Sequence, residues 1–178
     1  VALARRDGIE RHVVVDERSA AFIALGLAQQ TGEPVAVVCT SGTALLNYAP
    51  AVAEAYYQKL PLIVISADRP MEWIDQDDSQ TIRQYEALAQ FVKKSYDLPA
   101  RCDDDTALWY ANRIVNDAVS EATSCQRAPV HINVQIDEPI NAVAEWTGKQ
   151  RIIEVSEPSA ELSAEAISRL ADEAMGKN

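Results

Sequence analysis

The sequence predicts an α/β fold in which helices cover both faces of a parallel sheet. Short runs of strand length alternate with longer segments whose apolar residues recur at helical spacing, a pattern typical of βαβ units. Runs such as Pro-Leu-Ile-Val-Ile at residues 61–65 are apolar throughout, as strands are when both of their faces are buried in a parallel sheet. Right-handed crossovers are expected to connect these strands.

The predicted strands are five short runs, at residues 11–16, 34–39, 61–66, 93–98 and 129–134. The predicted helices lie between and after them, at residues 17–32, from a turn at 40–43 to about 58, and at 79–91, 103–123 and 163–175. Gly32 and Pro34 end the first helix, and Ser79 and the three aspartates at 103–105 are helix-capping residues. Between the third strand and Ser79, residues 71–78 form a polar, acidic loop.

The two ends of the chain depart from this alternation. Residues 1–8 contain only a fragment of a helix, so we expect the domain to be truncated at its amino terminus, with its first strand missing. After Asp137 the pattern loosens until the amphipathic helix at 163–175. We therefore predict an α/β domain at residues 1–140, and a linker and helix at 141–178 that lead toward a further domain.

Composition excludes several classes of function. The 178 residues suffice for one ordinary domain, and 48% of them are hydrophobic, enough for a sizeable core. A net charge of −11 argues against nucleic acid as a partner. No run reaches the roughly 18 apolar residues of a membrane span. The three cysteines lack metal-ligand spacing, which favours reduced thiols and a cytoplasmic protein.

Three polar segments follow predicted strands and should meet at the carboxyl edge of the sheet, where α/β folds bind ligands: residues 16–19, 40–43 and 67–70. Glu17 is either an acid that stabilises a helix amino terminus, with Asp16 as the cap, or a carboxyl group for a ligand nitrogen. Arg69 either grips a ligand carboxylate or pairs with Asp68 or another nearby acid.

The Thr-Ser-Gly-Thr turn (residues 40–43) is either a tight turn with a threonine cap or a set of unpaired N–H groups that suits an anion or a polar ligand edge. It lacks the lysine of a nucleotide-binding loop. Gln80 and Gln84 begin the predicted helix at 79–91, where glutamines are usually exposed and solvated. His131 lies within a predicted buried strand and is expected to be structural.

Five motifs taken together resemble those of one family. They are Asp-Glu-Arg (16–18), Thr-Ser-Gly-Thr (40–43), Ala-Asp-Arg-Pro (67–70), Gln-Thr-Ile-Arg-Gln (80–84) and Pro-Val-His-Ile-Asn-Val (129–134). It is the thiamine-diphosphate-dependent 2-succinyl-5-enolpyruvyl-6-hydroxy-3-cyclohexene-1-carboxylate synthase family, and the similar part is its amino-terminal, pyrimidine-binding domain. The resemblance implies that fold type. It also implies a cytoplasmic homo-oligomer, a dimer or tetramer, that decarboxylates 2-oxoglutarate and adds the succinyl unit to isochorismate in menaquinone biosynthesis.

The resemblance also assigns roles to residues. Glu17 would be the catalytic glutamate that hydrogen-bonds the aminopyrimidine ring of thiamine diphosphate, while Thr40, Ser41 and Gly42 would form the floor beside that ring. Arg69 would bind a carboxylate of isochorismate, and Gln80 would line the reacting centre. The ligands of Mg²⁺ and of the diphosphate would lie in a domain outside this chain, so the chain alone is expected to be inactive.

Two alternatives remain open from the sequence. One is the pyrimidine domain of an acetolactate-synthase-like or decarboxylase relative, which would share Glu17 without needing Arg69 to grip a substrate. The other is a non-catalytic α/β module for dimerisation, in which Glu17 would have no role in turnover. A nucleotide-binding Rossmann domain ranks below both, because no Gly-x-Gly-x-x-Gly motif follows the first predicted strand.

Overall fold

Four parallel strands form one sheet in the order β1-β2-β4-β3 in the computed structural model, which describes residues 8–101, 103–137, 151–156 and 161–176. The strands are β1 (Val35–Cys39), β2 (Leu62–Asp68), β3 (Lys94–Leu98) and β4 (Val130–Gln135). The helices are α1 (Glu17–Thr31), α2 (Ala44–Asn47), α3 (Ala49–Gln58), α4 (Asp105–Thr123) and α5 (Ala164–Ala174). This arrangement confirms the predicted α/β class with a parallel sheet.

Both faces of β2 are buried, which explains why its sequence is apolar throughout. Leu62 and Val64 pack into a core with residues of α1, α2 and α3. Ile63, on the opposite face, packs with β4 residues and with Ile114 and Ala118 of α4. The sheet therefore separates two apolar cores, and β2 contributes to each.

The predicted helix ends at α1 and α4 are confirmed by their capping geometry. The Asp16 carboxylate accepts a hydrogen bond from Ser19 N at 2.7 Å, and Gly32 ends α1 in the left-handed region with φ 71°. The Asp104 carboxylate accepts a hydrogen bond from Ala107 N at 2.7 Å. These local bonds satisfy backbone groups that the helix itself leaves unpaired.

The predicted strand at residues 11–16 is wrong. These residues belong to no strand, and the side chains of Val13 and Val15 are each 97% exposed. A β-branched run becomes a strand only where a neighbouring strand supplies its hydrogen bonds and its packing. In the described part of the chain, β1 lies at the edge of the sheet and pairs only with β2.

The expectation that β1 is buried on both faces is also wrong. Val37 and Cys39 are buried against the core that contains α1, but Val38 is 55% exposed and Ala36 is exposed as well. The reason is position in the sheet, because α4 packs against β2, β3 and β4, and no described helix covers the same face of β1. Among the described residues, helices thus cover both faces of the sheet only over its centre.

The segment between β2 and β3 differs most from the prediction. Residues 79–91 form no α-helix but a series of turns with one short 3₁₀ turn at Ala89–Phe91. Gln80 and Glu86 have φ values of 59° and 63°, and such left-handed residues interrupt a right-handed helix. The predicted helix from residue 44 to about 58 is divided in two at Tyr48, and its end at Gln58 is confirmed.

Two further expectations concern the ends. The predicted helix near residue 163 is confirmed as α5, for which Ser163 provides the cap. The helical fragment at residues 1–8, except Gly8, and the boundary at 140 lie outside the described residues. None of the described helices combines the length and the apolar character that a membrane crossing requires.

Adjacent leucines in α2 allow a matched test of the core. Leu45 is fully buried, whereas Leu46 is 45% exposed. We predict that Leu45→Ala lowers the free energy of unfolding by about 2–5 kcal/mol, because the substitution leaves a cavity, and that Leu46→Ala costs less than about 1 kcal/mol. Urea denaturation of both variants measures the difference, and equal losses would contradict this packing.

Candidate functional site

The carboxyl ends of β1 and β2 lie side by side, as the sequence predicts. The two strands are paired in parallel with Cys39 opposite Ser66, so the Thr-Ser-Gly-Thr turn leaves the sheet beside the end of β2. Arg69 follows β2 directly. The predicted site segments at residues 40–43 and 67–70 are therefore close to one edge of the sheet, where ligands of α/β proteins bind.

Glu17 is the first residue of α1, and it is half-buried. Burial raises the pKa of the Cys39 thiol to about 12, and the charge of Glu17 contributes to that rise. The pKa of the Tyr48 hydroxyl is raised by burial, then by Cys39 and by Glu17. The Glu17 carboxylate thus acts electrostatically on the end of β1. Its position in the first turn of a helix capped by Asp16 confirms the structural interpretation of Glu17 as an acid at a helix amino terminus.

The Thr-Ser-Gly-Thr turn packs tightly against the segment that contains Gln80. Gly42 has φ +82°, and a Cβ atom at this position would lie 2.9 Å from the Gln80 carbonyl oxygen. A glycine is required here both by the left-handed backbone and by this close approach. Ser41 and Gly42 are buried, whereas Thr40 is exposed.

Two details of the predicted turn are wrong. Gly42 N–H is not unpaired, because it donates to Gln84 Oε1 at 2.5 Å. Thr43 makes no side-chain capping bond at the start of α2. Since the Gly42 amide is already used, the turn has fewer free donors for an anion than the sequence suggests.

Gln84 is the residue that the sequence interpretation missed. It was expected to be exposed and solvated, but it is fully buried. Its Nε2 donates to Ala67 O at 2.8 Å and to Asn133 Oδ1 at 3.1 Å. The only signal in the sequence is that Gln84 closes the Gln-Thr-Ile-Arg-Gln motif, and a glutamine in a polar segment is not by itself distinctive.

Asn133 extends this network across the sheet. Its Nδ2 donates to Asp68 Oδ2 and to Asp97 Oδ1, each at 2.8 Å, and its Oδ1 accepts from Ser66 Oγ at 3.0 Å. Burial raises the pKa of Asp68, and the hydrogen bond from Asn133 opposes that rise. The polar ends of β2, β3 and β4 are thereby bonded to one another through a single amide.

Arg69 is held by two acids. Its backbone N–H donates to Asp68 Oδ1 at 2.8 Å, and its guanidinium Nε lies 3.3 Å from Asp78 Oδ2. The interpretation of Arg69 as half of an ion pair is therefore confirmed, with Asp78 of the acidic loop as the partner. Gln80 lies two residues after Asp78, in an exposed turn.

A separate open pocket of about 180 Å³ lies beside the network and is lined by Asp68, Asp97 and Gln84 among others. Glu17, Thr40, Ser41, Gly42, Arg69 and Gln80 do not line it. Within the described ranges, no group of three or more His, Cys, Asp or Glu side chains is arranged to hold a metal ion.

His131 is fully buried and its Nε2 lies 2.8 Å from Ser66 Oγ, which confirms its structural role. Burial lowers the pKa of the imidazole to about 4. The side chain is therefore neutral at physiological pH.

Comparison with known proteins places the chain in a class. Residues 1–87 match the family described as thiamine pyrophosphate enzyme, N-terminal TPP binding domain. Residues 1–87 therefore belong to this domain family of the thiamine pyrophosphate enzymes, and the parallel sheet with flanking helices is consistent with their pyrimidine-binding domain.

Within this class, the chain is similar to proteins named 2-succinyl-5-enolpyruvyl-6-hydroxy-3-cyclohexene-1-carboxylate synthase. The relative from Porphyromonas gingivalis is 52% identical over 85% of this chain, and the one from Cytophaga hutchinsonii is 47% identical over 93%. The relative from Bacteroides fragilis is 57% identical over 71% of the chain. These matches confirm the resemblance stated from the motifs. The chain spans 26%, 30% and 23% of the lengths of these three relatives.

Two glycines allow a matched test of the Gly42 contact. Gly42→Ala should lower the free energy of unfolding by roughly 1–3 kcal/mol, because alanine is strained at positive φ and its Cβ meets the Gln80 backbone. Gly26→Ala, in α1, has open space for the new Cβ and should raise stability by about 0.5–1 kcal/mol. Urea denaturation compares the two, and a Gly42→Ala protein as stable as wild type would contradict the contact.

The buried histidine predicts a pH dependence of stability. Because the pKa of His131 is about 4 in the folded chain and about 6.5 when unfolded, the unfolded state gains the proton first as pH falls. The contribution of neutral His131 to the free energy of unfolding is complete above about pH 6.5. It is lost as the pH falls from about 6.5 to 4, and the loss is on the order of 3 kcal/mol.

Denaturation across this pH range should show a shallower slope for His131→Gln than for wild type. Identical slopes in the two proteins would contradict a buried neutral His131. Carboxylates also titrate in this range, but they contribute equally to each protein.

Proposed function

We propose that the chain is the pyrimidine-binding part of a thiamine-diphosphate-dependent synthase that decarboxylates 2-oxoglutarate and adds the succinyl unit to isochorismate in menaquinone biosynthesis. The similarity to relatives with the synthase name, over 85% and 93% of this chain, carries the proposal. The position of Glu17, beside the end of β1 and the Thr-Ser-Gly-Thr turn, supports it. The carboxylate, the hydroxyls and the buried turn suit the polar edge of a pyrimidine ring.

Glu17 is the proposed catalytic residue. Thiamine diphosphate, when bound, would supply the electron sink for loss of carbon dioxide from a 2-oxo acid. Glu17 would hydrogen-bond the aminopyrimidine ring and exchange a proton with its nitrogen. A carboxyl group can both accept and return that proton, whereas an amide cannot. Ser41 and Gly42 would form the buried floor beside the ring, with Thr40 at its exposed rim.

Arg69 and Gln80 are the proposed substrate-binding residues. A guanidinium at the end of β2 suits a carboxylate of isochorismate, a molecule that carries two carboxylates. A carboxylate at this position would compete with Asp78, whose contact with Arg69 is 3.3 Å long and only partly buried. Gln80 lies next to Gly42, so its amide would border both the cofactor ring and the substrate.

The remainder of the site is proposed to lie outside this chain, which spans 26% and 30% of the first two relatives. We propose that Mg²⁺ and the diphosphate bind there, that the protein is a homodimer or tetramer, and that it acts in the cytoplasm. Free thiols at Cys39 and Cys125 are consistent with a reducing compartment. The chain alone is therefore expected to show no turnover.

The test uses the full-length protein that carries this chain, with thiamine diphosphate and Mg²⁺. Consumption of isochorismate is followed with 2-oxoglutarate and then with pyruvate. Glu17→Gln should lower kcat by about 100-fold or more, because the proton exchange with the ring is lost. Glu33→Gln, an exposed acid just beyond α1, is the control and should keep wild-type turnover.

Other outcomes separate the alternatives. Turnover with pyruvate alone would move the protein to an acetolactate-synthase-like or decarboxylase function. Unchanged turnover in Glu17→Gln would remove the catalytic role of this residue. No cofactor-dependent chemistry at all would favour a non-catalytic module.

A further inference from the structure

We propose that Gln84 is a positioning residue for the cofactor site: it holds the Thr-Ser-Gly-Thr turn in place without touching the ligand itself. The inference deepens the proposed function and rests on it. It starts from the geometry of one buried amide, which is bonded at both ends to parts of the chain that are distant in sequence.

The amide of Gln84 uses both of its polar atoms. Its oxygen accepts the Gly42 N–H at 2.5 Å, and its nitrogen donates to Ala67 O at 2.8 Å and to Asn133 Oδ1 at 3.1 Å. The side chain therefore connects the turn after β1 to the end of β2 and to the interior of β4. A methionine of similar size would make none of these bonds.

These bonds matter to the turn because one of them restrains a glycine. Gly42 has φ +82°, a region in which glycine is conformationally free, and Thr43 makes no side-chain cap. The bond to Gln84 removes that freedom. It also leaves Gly42 in contact with the backbone of Gln80, so the proposed cofactor floor and the proposed substrate residue share one support.

The burial of Gln84 restricts its amide to the hydrogen-bond partners that hold the turn. The residue is fully buried and Asn133 is 1% exposed, so their polar atoms have no alternative in bulk water. A buried amide in this position is stable only when its partners stay in place. The turn is thereby held in one arrangement before any ligand binds, and this reduces the ordering cost of binding.

The first measurement is independent of enzyme activity. Amide hydrogen exchange at Gly42, followed by NMR or by mass spectrometry of the peptide that contains it, reports the bond to Gln84. Gln84→Met should increase the exchange rate of the Gly42 amide by about tenfold or more. Gln90→Met, an exposed glutamine in the same segment, should leave it unchanged. Unchanged exchange in Gln84→Met would overturn the inference.

The second measurement uses the full-length protein with Mg²⁺. Gln84→Met should raise the apparent Kd of thiamine diphosphate by about tenfold, while saturating cofactor restores most of kcat, because the floor is loosened and Glu17 is intact. Gln84→Glu keeps the acceptor for Gly42 N–H and should recover part of the affinity. If Gln84→Met fails to fold, as judged by circular dichroism, Gln84→Ala, which likewise lacks the acceptor for the Gly42 N–H, carries the same test.

The outcomes distinguish this inference from the proposed function. Wild-type turnover that depends on Glu17, combined with cofactor affinity unchanged in Gln84→Met, would overturn the role of Gln84 alone. Absence of cofactor-dependent turnover in the wild-type protein would overturn both, even if Gly42 exchange responds to Gln84. A purely structural glutamine would lower stability without changing the cofactor Kd of the folded protein.

Discussion

The buried amide of Asn133 joins the carboxyl ends of three strands, and the candidate site depends on that connection. It donates to Asp68 of β2 and Asp97 of β3, and it accepts from Gln84, which in turn holds the turn after β1. Buried donors and acceptors are costly when unpaired, so each of these groups constrains the others. The edge of the sheet at which a ligand would bind is therefore a single hydrogen-bonded unit.

This unit also explains the conformation of the segment between β2 and β3. The segment that brings the Gln84 side chain to Gly42 and Asn133 consists of turns with residues in the left-handed region, including Gln80. Residues 79–91 have a good capping residue and helical spacing, but those local preferences are weak in energy. Three hydrogen bonds of one buried amide outweigh them. The segment gives up a helix and gains a fixed position for Gln80 beside the turn.

The charges of the site divide into two regions. Glu17 acts on Cys39 and Tyr48 at the end of β1, while Arg69 is held between Asp68 and Asp78 at the end of β2. The turn supported by Gln84 follows β1, which pairs with β2. Such a division suits a reaction in which a cofactor ring and an anionic substrate bind side by side. Helix α1 carries Glu17, and the acidic loop at residues 71–78 carries Asp78, the ion-pair partner of Arg69.

By itself, the sequence determined the fold class, all four strands within a residue or two, and the ends of α1 and α4. Apolar spacing, proline, glycine and aspartate caps are local signals, and they act wherever the segment lies. The motifs also identified the family. Only the tertiary structure decided that residues 11–16 stay outside the sheet and that one face of β1 is uncovered. The tertiary structure also decided that Gln84 is buried and supports the turn at residues 40–43. Strand pairing, burial and long-range hydrogen bonds depend on neighbours that are distant in the chain.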